Sequence, residues 1–215
     1  MTPFDAAARE AFVRDNLRPH AVAGVEGLRL YRAHTASGLS RLADLVESDA
    51  GAGPPYWSQL WPGGAVLLSW LLDRPDTVRG RRVLDWGAGS GAVGLLAADL
   101  GAARTVCCDA DPMARAAIRA NAALNGTSVE VVATPSPDDV FDVVLAGDVF
   151  YDPGPATAAL TALRRFAATG AEVLIGDIGR AHLPGSLTPL ATYPVRDVGD
   201  RPDAPLHDGH IYRLT

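Results

Sequence analysis

The sequence predicts an α/β protein whose sheet is mainly parallel and carries helices on both faces. Three observations predict it. From about residue 80 onward, short apolar runs of strand character alternate with helical stretches, the signature of successive βαβ units. One of those strands runs straight into a glycine-rich turn, GAGSG at 87–91. The strand after it ends on an acid, Asp109, 22 residues beyond Gly87, which is about where a carboxylate meets the ribose of a nucleoside bound on such a turn.

The elements follow in order. Phe4, Ala7, Ala8, Ala11 and Phe12 recur at helical spacing, so 4–18 reads as an amphipathic helix. Residues 28–35 read as a strand or extended stretch and 38–47 as a second helix. GAGPP at 51–55 breaks the chain. This divides it into an N-terminal, mainly helical accessory segment, 1–54, and a main domain, 55–215. An apolar helix is expected over 65–72, a strand over 82–85, and a helix over 91–100. A second strand spans 105–109. Asp111-Pro112 then starts a helix, Asp as cap and Pro in the first turn, and Gly126 stops it. Strands at 129–133 and 141–147, a helix at 155–169 and a strand at 172–177 continue the alternation. The tail breaks it: 191–199 and 209–214 are two strands with no helix between, which suits an antiparallel hairpin at the sheet edge.

Composition narrows the function. Net charge is −6, which argues against nucleic acid as the main partner. No Lys occurs; all 19 basic side chains are Arg. That excludes a Schiff-base enzyme and a Walker A nucleotide binder, each of which needs its Lys. Cys107 and Cys108 are adjacent, so on a strand they face opposite sides and form neither a structural disulfide nor a shared metal site. The five His are scattered or in a turn, and no metal site is expected. No apolar run reaches membrane-spanning length, and residues 1–15 lack a signal core. A cytoplasmic monomer or weak oligomer that meets no membrane is the expectation.

Three segments carry chemistry. In VLDWGAGSG at 83–91, Gly87, Gly89 and Gly91 permit close backbone approach, and the following helix start offers free N–H groups to a ligand. The bland alternative is a tight strand–helix turn. GDVFYDP at 147–153 follows a strand at its carboxyl end, where open α/β sheets bind ligands, so Asp148, Tyr151 and Asp152 face the reaction; otherwise Asp148 caps a turn before Pro153. PPYWSQLWPGG at 54–64 packs a tyrosine and two tryptophans beside Gly-Gly. Such aromatics are most often core, yet Gln59 and Trp61 lie in a turn that can reach a ligand, and an aromatic face attracts a cation.

These segments resemble motif I and its companions in class I methyltransferases, whose sheet is Rossmann-like. Together with FVRDN at 12–16, CCDADP at 107–112, IRANAALNG at 118–126, VVLAGDVFYD at 143–152 and GDIGRAHLP at 176–184, the whole chain is similar to the bacterial electron-transfer-flavoprotein β-subunit lysine methyltransferases of the seven-β-strand family. The resemblance implies S-adenosylmethionine as cofactor, with Asp85 near its methionine ammonium and Asp109 on its ribose. Trp61, Gly87, Gly89, Gly91, Ala110 and Asp148 would complete its shell. It further implies that Asp148, Tyr151 and Asp152 form the acceptor side. Ile178 stands where the family pattern carries Pro. The activity implied is N-methylation of a lysine in a protein partner such as that flavoprotein subunit. A small amine of nicotinamide type, or cofactor binding without catalysis, remain the alternatives.

Overall fold

The computed structural model describes residues 4–39, 54–201 and 203–214. Seven strands form one sheet: β3 (Arg82–Trp86), β4 (Arg104–Cys108), β5 (Glu130–Val132), β6 (Val143–Gly147), β7 (Glu172–Asp177), β8 (Pro189–Val195) and β9 (His207–Leu214). Their spatial order is β5-β4-β3-β6-β7-β9-β8. The first five are parallel, and β9 runs antiparallel to both β7 and β8. The order reverses between β3 and β6, the topological switch at which such sheets open for a ligand.

Alternation along the central strands sorts side chains to two cores. Val83, Val143, Leu145, Leu174 and Ile211 join the core beneath α2 (Pro62–Asp73) and α3 (Ala92–Asp99). Leu84, Val144, Ala146, Val173, Ile175 and Tyr212 join the core under α5 (Pro153–Ala168), through Ala156, Ala159, Leu163 and Phe166. A strand buried on both faces has no polar side to show, which is why these runs read as continuous apolar sequence. α4 (Pro112–Asn125) starts as its sequence promises: Asp111 accepts the N–H of Met113, Pro112 opens the first turn, and Gly126 closes the helix at φ 68°.

The N-terminal segment differs from the expected one. α1 (Ala6–Asn16) is present, and β2 (Arg29–Arg32) falls in the stretch read as a strand or extended, but it pairs antiparallel with an unexpected strand, β1 (Arg18–Ala21). β1 carries Pro19 and no apolar alternation, so nothing in its pattern announces a strand. The helix expected at 38–47 falls almost wholly outside the described residues. α1 packs on α4 through Val13, Leu17, Met113, Ala114 and Ala117. Asn121 and Asn125, one turn apart on α4, accept the backbone N–H groups of Tyr31 and Arg29 at 2.8 Å each. Those amides cover the free edge of β2, which would otherwise leave backbone donors unpaired. β8 also begins and ends earlier than expected. Its Pro189 and Pro194 lie on the sheet's outer strand, where a missing N–H costs no ladder bond.

At the carboxyl end of the sheet, α2 descends onto the strands. A Cβ on Gly63 would overlap the Gly176 carbonyl, one on Gly176 would overlap the Gly63 carbonyl, and one on Gly147 would press on the Gly64 backbone. Four glycines therefore set helix backbone against strand backbone and bring the start of α2 beside the ends of β6 and β7. No described helix is long and apolar enough to cross a membrane.

Candidate active site

The site is a cleft between the glycine loop at 87–90, the start of α2 at 59–64, and Gly147-Asp148 at the end of β6. The loop has the geometry its glycines allow: Gly87, Gly89 and Gly91 adopt φ of 69°, 53° and 80°, a region that costs a side-chain-bearing residue about 1 kcal/mol or more. A Cβ at Gly91 would press on Ile118 of α4. The turn is pinned from below by Asn121, fully buried, whose amide donates to the Ser90 carbonyl at 2.8 Å. The same side chain holds Tyr31, so one amide ties the N-terminal hairpin to the glycine loop.

Asp109 follows β4 and braces the loop from its side. One carboxylate oxygen accepts the Gly89 N–H at 2.8 Å, the other the Asp111 N–H at 2.9 Å. Burial raises its pKa, against these two donors. A carboxylate has about four acceptor positions, so it keeps capacity for hydroxyl donors. Ala110, next in the chain, is exposed at the rim. Asp85 lies deeper, 2% exposed, and accepts the Gly94 N–H of α3 at 2.9 Å. Burial pushes its carboxyl up to about 7. Cys107 and Cys108 are both buried and free, and burial raises both thiols.

Asp148 is the most committed residue of the site. It takes φ 53°, the only non-glycine with positive φ among the described residues, a strained backbone of the kind that clusters at functional sites. One carboxylate oxygen accepts the N–H groups of Gly63 and Gly64 at the start of α2, the latter at 3.3 Å. The other receives Arg180, from Nη2 at 3.2 Å and Nε at 3.3 Å. Burial raises its pKa to about 6 in spite of Arg180.

Trp61, which lines the cleft with Asp148, belongs to an aromatic group. The rings of Tyr56 and Trp61 meet edge to face at 5.4 Å, and those of Tyr56 and Tyr151 at 5.2 Å. The Trp61 indole donates to the Tyr56 carbonyl at 2.7 Å. Tyr56 and Tyr151 are each nearly half exposed, and burial raises the Tyr151 phenol. Asp152 points elsewhere: it caps α5 through the Gly154 N–H at 3.4 Å. Gly63, Gly64, Asn121 and Arg180 escaped the sequence reading, because their partners lie tens of residues away. The doubled glycine after Trp61 and the Arg closing GDIGR were the visible signals. No cluster able to hold a metal occurs among the described residues.

Known proteins share the fold and much of the sequence. Residues 65–149 match the family described as ribosomal protein L11 methyltransferase (PrmA). Among solved structures, a Thermus 16S rRNA N2 methyltransferase in complex with AdoMet and guanosine aligns over 93% of this chain and 50% of its own, with a TM-score of 0.56 at 18% identity. Trm5b of Pyrococcus abyssi aligns over 92% and 56%, with a TM-score of 0.51 at 16% identity. At such identities these two show the fold, a Rossmann-like class I methyltransferase sheet. In sequence, the electron transfer flavoprotein beta subunit lysine methyltransferase of Rattus norvegicus is 42% identical over 61% of this chain and 53% of its own length. The chain thus spans about half the length of its mammalian relatives. The Xenopus laevis protein of the same name is 36% identical over 172 residues, 74% of this chain and 69% of that protein. By that match, which carries the glycine loop, Asp109 and the Asp148–Tyr151 segment on one fold, the chain belongs to the electron transfer flavoprotein beta subunit lysine methyltransferase family.

Proposed function

We propose that this protein is an S-adenosylmethionine-dependent N-methyltransferase acting on lysine side chains of a protein, with an electron transfer flavoprotein β subunit as the substrate class. The observation that carries the reading is the 36% identity spread over most of the Xenopus lysine methyltransferase. The cleft supports it. Three left-handed glycines and the Asp109 carboxylate beside them supply the close backbone approach and the acceptor that a nucleoside uses, and Asp85 offers a buried carboxyl for an ammonium group. When bound, the cofactor supplies an activated methyl on a sulfonium.

The chain's own part is placement and exclusion of water. Asp109 would hold the ribose hydroxyls, and the 87–91 backbone with Asp85 and Trp61 would complete the shell around the cofactor. The acceptor arrives over Asp148 and Tyr151, past the exposed rings of Tyr56 and Tyr151, whose faces attract an alkylammonium. A lysine ammonium, with a pKa of about 10.4, must lose its proton before it attacks. The Tyr151 hydroxyl accepts a hydrogen bond from the resulting amine and keeps its lone pair directed at the methyl. The proton leaves to water.

Incubation with methyl-labelled S-adenosylmethionine and a cell lysate tests the reading. Label is expected in protein, released as methyl-lysine on hydrolysis. Because this chain contains no Lys, none of that product can arise from self-methylation. Label confined to small molecules would instead establish the nicotinamide-like alternative.

A further inference from the structure

Arg180 closes the turn after β7 and is built into place rather than left to solvent. Asp177, fully buried at the end of β7, accepts the N–H groups of Gly179 and Arg180 through one oxygen, both at 2.7 Å. Gly179 takes φ 88° to make the turn. The guanidinium then reaches inward. It meets Asp148 at 3.2 Å, meets Asp197 at 3.5 Å, and lies with Cζ 5.9 Å from the centre of the Trp61 ring. Its side chain is 24% exposed. Among the described residues, no other side-chain cation lies within ion-pair distance of Asp148.

On the reading above, the acceptor amine comes to rest beside Asp148 and must be neutral there. A lone carboxylate would oppose that, since a nearby negative charge favours the ammonium form. We propose that Arg180 is a positioning residue that neutralises Asp148, so that the acceptor lysine can give up its proton inside the site. The inference rests on the lysine reading and adds to it a residue with a stated electrostatic task.

The other groups facing this pair leave the task to Arg180. Asp148 follows β6 and Asp197 follows β8, and both meet the guanidinium; Asp177, at the end of β7, instead holds the Arg180 backbone N–H. The second oxygen of Asp177 is buried with no hydrogen-bond partner. From β9, His210 pairs in register with Asp177, and the phenol of Tyr212 feels the Asp177 charge. The start of α2 contributes the Gly63 and Gly64 N–H groups to Asp148. Burial already drives Asp148 upward with Arg180 present. Without Arg180, Asp148 and a bound amine would share a proton that neither releases readily.

The test is the pH dependence of kcat at saturating cofactor and acceptor, which reports groups in the bound complex. In the wild type, kcat should rise through an apparent pKa below that of free lysine. In Arg180→Gln that midpoint should move up by about one unit, a roughly tenfold loss at neutral pH that shrinks as pH rises. Arg180→Lys should restore the wild-type midpoint. In the double variant Asp148→Asn/Arg180→Gln the charge pair is gone as a whole, and the midpoint should return toward the wild type. Should Arg180→Gln fail to fold, Asp148→Asn alone carries the test with opposite sign: the site loses one negative charge while Arg180 stays, held by Asp197, and the midpoint should fall. An unmoved midpoint in Arg180→Gln, with kcat merely scaled down at every pH, would overturn the inference and leave the lysine reading standing. An unmoved midpoint in Asp148→Asn would do the same. A wild type that binds cofactor by calorimetry yet methylates no lysine at any pH would overturn both.

Discussion

Asp85 sits under α3 with one backbone donor, and burial holds its carboxyl near 7. The sign of the consequence is fixed. The folded chain binds this proton more tightly than the unfolded chain, whose Asp titrates near 3.9. Stability from the group is therefore complete below about pH 4 and is lost as pH rises through about 7. Asp85→Asn keeps an acceptor for the Gly94 N–H and removes the titration. Its melting temperature should depend less on pH between 4 and 7 and exceed that of the wild type at pH 8. Equal slopes in thermal scans would show that Asp85 is ionised throughout. Asp109 makes a separate prediction. Asp109→Ala should weaken S-adenosylmethionine binding by roughly 1.5–3 kcal/mol, the loss of a charged acceptor, as read by calorimetry. At this scale the sequence was informative where function depends on residue type at short spacing. Gly87, Gly89, Gly91 and Asp109 all lie within one βαβ unit, and Asp109 accepts the Gly89 N–H of a loop whose three glycines are left-handed. The commitment of Asp148 was not legible, because its partners Gly63 and Arg180 stand 85 and 32 residues away.

Between elements, the decisive contact is the descent of α2 onto β6 and β7. Gly63 and Gly176 touch backbone to backbone, and the approach delivers the first N–H groups of the helix to Asp148. Gly176→Ala places a methyl where the Gly63 carbonyl sits. Overpacking of this kind costs about 1–3 kcal/mol or more. The variant should show a lower denaturation midpoint and weaker cofactor binding together. A fall in stability with unchanged cofactor affinity would mean that the start of α2 does not shape the cleft. The parallel strands and their helices were readable from hydrophobic period and from caps such as Asp111 and Gly126. β2 was readable as an extended stretch, but β1 and the pairing of the two were not, since β1 shows no apolar alternation and the outer edge of β2 is satisfied by Asn121 and Asn125 of α4.

The whole molecule brings the glycine loop and Asp148 to one cleft at the switch between β3 and β6. The N-terminal hairpin is tied to the glycine loop through Asn121. The net charge of −6 suits a partner that presents lysine. The most direct measurement combines the purified protein, S-adenosylmethionine and an electron transfer flavoprotein, and maps methyl groups by peptide mass spectrometry. The account predicts methyl-lysine on the flavoprotein's β subunit, dependent on this protein and much reduced with Asp109→Ala. Cofactor binding without any methyl-lysine on that subunit would contradict it.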